Sequence, residues 1–255
     1  MRAASRFFSV LLLSIAFAAC APKSEKAVTV ARAASLEARP LGSGAQGLLR
    51  AQPYSKLIIE VGAVAGRDPS AETVEYVRGF LEEHLHKPGG IRIVAGAGIP
   101  SVRAAAVSTA DLAVVELANR KTVATDDTIS VYLMFLDGHH VQDEPGKRVL
   151  GMAYRATSIA IFEDTVLAEA TAETQALVEK TVIAHELGHV LGLVNEGTPM
   201  QNEHYDGENN AGHCRNPLCL MNYALNSIRL VEIFHSTVPG FDDACLADLR
   251  AAGGK

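Results

Sequence analysis

The sequence contains no tryptophan, and six tyrosines with eight phenylalanines bring its aromatic content to only 5%. So few flat aromatic faces argue against a carbohydrate-stacking platform. Positive charge is also scarce: 23 basic residues face 29 acidic ones, a net charge of −6. The lysines and arginines form no cluster, so no nucleic-acid partner is expected. Adhesion to anionic lipid through charge is excluded on the same ground. Long apolar runs are missing except near the start, where Phe7–Phe17 is too short to cross a bilayer comfortably. No segment repeats. Cysteine is limited to Cys20, Cys214, Cys219 and Cys245.

The first of those cysteines belongs to a targeting pattern. Arg2 and Arg6 supply a positive start, Phe7–Phe17 an apolar stretch, and Ala18-Ala19 a small-residue exit before Cys20. Phe17-Ala18-Ala19-Cys20 resembles a bacterial lipobox, which implies cleavage before Cys20 and lipidation of its thiol. Residues 1–19 are therefore read as a lipoprotein-type signal peptide. The expected product is an exported bacterial lipoprotein, held at the outer membrane by its lipid anchor and facing the periplasm or cell surface. Cleavage at Ala16-Phe17-Ala18, which fits an A-x-A site, would instead give a soluble periplasmic or secreted protein. Residues 20–55 have no sustained period and include Gly42-Ser43-Gly44, as in a flexible tether.

Folded character is expected from Lys56 onward. Leu57–Val64, Ile91–Val94 and Thr128–Leu136 read as buried strands, and Leu150–Tyr154 and Ser158–Phe162 as two more around a polar bend. Ser70–Lys87 reads as a helix opened by Asp68-Pro69-Ser70 and stopped by Pro88-Gly89-Gly90. Val102–Lys121 reads as a second helix, with a break near Ser108-Thr109. A third spans about Thr171–Val194, and little regular structure is expected after it. Alternating strands and helices point to one α/β (α+β) domain over residues 56–255.

The chemistry is written in that third helix. His185-Glu186-Leu187-Gly188-His189 places two histidines four apart, so both project from one helix face and can share an ion. Their flanks are apolar. Burying two imidazoles and a carboxylate without partners costs several kcal/mol, which a metal compensates. Glu186 stands beside the ion without ligating it, placed to take a proton from a coordinated water. The pattern points to a metal-dependent hydrolase. His84/His86 and His139/His140 lack this spacing and are expected at the surface.

A catalytic zinc needs a third protein ligand. Gly192 extends the motif to H-E-x-x-H-x-x-G, but Asn195 stands where the usual pattern has histidine. Further on, His213-Cys214-Arg215-Asn216-Pro217-Leu218-Cys219-Leu220-Met221 reads H-C-x4-C-x-M. Together these motifs resemble the archaemetzincins of the metzincin clan, with an insertion of about 195–212. That resemblance implies a zincin domain with a mixed sheet, an active-site helix and an irregular C-terminal subdomain. It carries over His185, His189 and His213 as zinc ligands, Glu186 as general base and Met221 as the Met-turn. Tyr223 falls where some metzincins place a residue that touches zinc or the oxyanion. His204, in the inserted Glu203–Asp206 stretch, is the alternative third ligand.

The resemblance also implies a second, structural zinc held by four cysteines. Only Cys245 lies downstream, so that set is incomplete, and in an exported chain a Cys214–Cys219 disulfide is expected instead. The expected activity is that of a monomeric zinc metalloendopeptidase with one catalytic Zn²⁺, acting on a protein or peptide substrate. A non-catalytic lipoprotein, in which zinc stiffens a protein-binding module, is the alternative, kept open by Asn195.

Overall fold

Nine consecutive residues, Thr128–Leu136, are buried along their whole length, and the rest of the chain is arranged to cover them. The computed structural model describes residues 35–207, 210–226 and 237–255. The signal segment and Cys20 lie outside those residues. Thr128–Leu136 is β3, the centre of a five-stranded sheet with β1 (Lys56–Val64), β2 (Ile91–Ile99), β4 (Gly151–Arg155) and β5 (Ser158–Phe162). The order is β2-β1-β3-β5-β4, parallel throughout except for β4, which runs antiparallel to β5 at the edge.

The helices are α1 (Ala45–Leu49), α2 (Ala71–His84), α3 (Thr109–Asn119), α4 (Glu163–Glu169), α5 (Gln175–Val190) and α6 (Asp243–Ala252). Period-two alternation along β3 divides the core. Val131, Leu133 and Phe135 join Val77 and Leu81 of α2 and Val182 and Ile183 of α5. Tyr132, Met134 and Leu136 join Leu112 of α3 on the other face. Helices on both faces explain why β3 reads as a continuous apolar run. The mixed α/β sheet agrees with the expected fold class.

Helix boundaries follow local capping. Ser70 Oγ accepts from Thr73 N at 3.0 Å and starts α2. Ser108 and Asp111 exchange reciprocal side-chain–backbone bonds of 3.2 and 2.9 Å, a capping box that opens α3. The expected break near Ser108-Thr109 is thus the start of the helix. The stretch read as Thr171–Val194 is α5 alone, with α4 as a separate short helix ahead of it, and α6 was not expected. His84 and His140 are buried, contrary to expectation, and His84 Nδ1 donates to Phe80 O at 2.7 Å.

The boundary at residue 56 needs correction. Residues 35–55 are part of the folded unit, with Leu48 and Leu49 fully enclosed. Ala124 N donates to Glu37 Oε1 at 2.6 Å, and Ala156 N to Arg39 O at 3.0 Å. Low-period composition hid these anchors because they are made one residue at a time. Lys87 fixes the end of this segment by donating to the carbonyls of Gly47, Arg50 and Tyr54 at 2.7, 2.6 and 2.6 Å. Lys87→Met leaves three acceptors without their shared donor and is expected to destabilise the fold by about 2–4 kcal/mol. Urea denaturation measures the loss, and an unchanged midpoint would contradict this role.

Candidate metal centre

The centre begins with α5, whose residues from Thr181 to Val190 are all buried. His185 and His189 sit one turn apart on it, with their Nε2 atoms 3.1 Å from each other. His185 Nδ1 donates to Leu220 O at 2.6 Å, which leaves its Nε2 as a lone pair. His213 completes a triangle, its ring centroid 5.2 Å from that of His185 and 5.1 Å from that of His189. Its Nδ1 donates to Ala211 O at 2.8 Å, so its Nε2 too is a lone pair. One ring nitrogen of each histidine lies within 4.8 Å of the other two.

The backbone explains how His213 gets there. The helix ends at Val190, and Gly192 at φ +76° turns the chain where a Cβ would meet the Thr198 backbone. Val194 and Asn195 follow with positive φ, at 54° and 70°. Asn195 is therefore a residue of the turn. The chain returns when Tyr205 pairs with Cys214 and Asp206 N donates to His213 O at 2.8 Å.

Electrostatics favours a cation at this place. Burial lowers His185 to about 3, takes His189 well below the ordinary range and lowers His213. All three are neutral at pH 7, the form that ligates metals. Without an ion the His185–His189 contact needs a proton on His189 Nε2, while His189 Nδ1 is buried without a hydrogen-bond partner. A dication facing the three lone pairs would replace the Nε2–Nε2 contact with ligation, so the residues fit one.

Glu186 completes the group. Its Oε2 accepts from Ala153 N of β4 at 2.7 Å, while Oε1 is buried with no hydrogen-bond partner. Burial raises its pKa to about 7, offset in part by the Ala153 bond. Met221 lies fully buried below, packed on Gly188, where a Cβ would run into its sulfur. A cleft of about 660 Å³ opens over the site. Gly151–Ala153, His189, His213, Glu196 and Tyr223 contribute to its walls, and Tyr223 is half exposed at the rim.

Two expectations are corrected here. His204 is not beside His185 and His189: its Nε2 donates to the buried Asp248 at 2.8 Å and its Nδ1 turns to Cys214 Sγ at 3.4 Å. The Cys214–Cys219 disulfide is not formed, and Cys214, Cys219 and Cys245 are free and buried. The reason is convergence. Cys245, delivered by α6, puts its Sγ 3.6 Å from Cys219 and 3.8 Å from His204 Nδ1. Among the described residues, two groups of side chains could therefore hold a metal ion: His185, His189 and His213, and His204 with Cys214, Cys245 and Asp242. Sequence reasoning missed Asp248 and the part played by Cys245, whose only signal was an unpaired cysteine on an unrecognised helix.

Comparison of the chain with protein-family models and with curated proteins gives no match.

Proposed function

We propose that this chain is a zinc-dependent peptidase of metzincin type, with His185, His189 and His213 as the ligands of its catalytic ion. The observation that carries the reading is the meeting of three neutral imidazoles beside the unpaired Oε1 of Glu186, on the floor of an open cleft. Zinc held there supplies Lewis acidity, acidifying a water and polarising a carbonyl.

The chain's own residues supply the rest. Ala153 N–H anchors Oε2 of Glu186, so Oε1 is the oxygen left to take a proton from water. A carboxyl near pH 7 in its affinity can pass that proton on to a leaving amine. Among the described residues, edge strand β4 is paired only with β5, leaving its outer side to align an extended peptide across the cleft. Tyr223 at the rim is placed to donate to an oxyanion on rotation of its side chain. Lipid attachment at Cys20 would hold this domain at the outer membrane, through residues outside the described structure.

Metal removal tests the reading. Digestion of a peptide library by the purified chain should stop on chelation and return on adding Zn²⁺, with cleavage sites read by mass spectrometry. Zinc bound at the three histidines without any cleavage would favour a non-catalytic binding module instead.

A further inference from the structure

The second cluster is independent of the peptidase reading and carries an inference of its own. His204, Cys214, Cys245 and Asp242 bring potential ligand atoms within 4.8 Å of one another, and Cys219 Sγ adds a fifth beside Cys245. His204 Nδ1 lies 3.4 Å from Cys214 Sγ and 3.8 Å from Cys245 Sγ, and the sulfurs of Cys219 and Cys245 are 3.6 Å apart. Tetrahedral zinc, with Zn–S of about 2.3 Å and Zn–N of about 2.0–2.1 Å, sets sulfur pairs roughly 3.8 Å apart and sulfur–nitrogen pairs roughly 3.6 Å apart. These three separations match to within a few tenths of an ångström. A disulfide needs about 2.05 Å between sulfurs, and none of these cysteines makes one.

The surroundings of Cys219 suit a thiolate. Cys219 Sγ accepts from the backbone N–H groups of Met221 and Asp242, both at 3.4 Å. His204 donates its Nε2 hydrogen to Asp248, which is fully buried and also accepts from Gln201 N at 2.6 Å. That carboxylate–histidine pair fixes the tautomer that points the Nδ1 lone pair at the sulfurs. Asp242 is otherwise engaged: its Oδ1 caps α6 at Cys245 N, 3.0 Å away, and its Oδ2 holds Asn216 at 2.9 Å. Its Oδ2 also touches Cys214 Sγ at 3.4 Å, an outer contact on the cluster.

We infer that His204, Cys214, Cys219 and Cys245 bind a second, structural zinc ion, and that this ion pins the 195–212 insertion as a wall of the cleft. His204 is the insertion's only donor in the set, and it stands in for the cysteine this chain lacks. The ion would couple the two centres through the chain. Cys214 adjoins His213, while Cys219 precedes Leu220, whose carbonyl orients His185. Glu196, Asn210 and Ala211, which line the cleft, lie on the segment that His204 tethers. A coordinated ion would also keep three thiolates from oxidation in an exported protein.

Cobalt titration of the purified, reduced full chain tests this, because thiolate-to-cobalt charge-transfer absorption reports only this cluster. The expected result is two equivalents of Co²⁺, one giving that absorption. His204→Ala and Cys219→Ser should each lose it. His204→Cys, which rebuilds a four-donor set, and Asp242→Asn should keep it. Asp248→Asn should weaken the second equivalent by about 10–100-fold, as for lost partners of ligating histidines. Hydrogen exchange across residues 195–212 should slow on metal binding in the parent and not in His204→Ala. The inference is overturned if the parent binds one equivalent without thiolate absorption. Loss of that absorption in Asp242→Asn, or its survival at undiminished intensity in Cys219→Ser, would overturn the ligand set. The parent titration stands even if a variant fails to fold.

Discussion

Glu186→Gln is expected to lose hydrolysis by about 10²–10⁴-fold, the usual contribution of a positioned acid–base group, while retaining its catalytic metal. Glutamine keeps an oxygen for the Ala153 N–H and fills the same space, but cannot accept the proton from water. The same substitution should act on stability with the opposite sign. In the metal-free protein burial raises Glu186 from 4.5 to about 7, so the folded chain holds a proton that the unfolded chain has released. Stability from that proton is complete below pH 4.5 and is lost as pH rises through about 7, amounting to about 3 kcal/mol. Chelated Glu186→Gln should therefore be more stable than the chelated parent at pH 8, with the gap closing toward pH 4.5. Urea denaturation at the two pH values, beside peptide turnover and metal analysis, reads both effects. A variant that cleaves at the parental rate would end the proposed role of Glu186.

His213→Ala is expected to release the catalytic ion and with it the activity. Structural zinc sites bind with about 10–16 kcal/mol over four donors, or roughly 3 kcal/mol each, so affinity should fall by about 100-fold or more. His213 is only partly buried, and truncating it should leave the fold nearly as stable as before. The contrast with His204→Ala is diagnostic. The first variant should lose the histidine-bound ion and keep thiolate absorption, and the second should do the reverse. Zinc competition with a chromophoric chelator measures the first affinity. Parental activity in His213→Ala would remove it from the ligand set and reopen how a third donor is supplied.

Much of this was legible along the chain because it depends on local order. Thr128–Leu136 reads as a buried strand from its unbroken apolar run. Ser70 marks a helix start because capping joins residues only three apart, and Ser108, read as a break, marks another for the same reason. His185 and His189 share a face for the same reason, since a helix brings residues four apart together whatever surrounds it. Where no period exists, sequence reading failed. Residues 35–50 are held by scattered hydrogen bonds to Ala124, Lys87 and Ala156, each far away in sequence. Helix α6 is short, and its worth lies in where it delivers Cys245 and Asp248.

By itself, then, the sequence determined the strands, the start of α2, and a pair of imidazoles with a carboxylate between them. Folding alone decided which distant groups join them. His204 and His213 both lie downstream of the same helix in an irregular stretch, and no spacing rule tells them apart. The left-handed turn at Val194-Asn195 and the seat of Asp248 send one imidazole to sulfur and leave the other facing α5. Loop closure is set by packing and hydrogen bonds across the whole domain, and those partners are not neighbours in the chain.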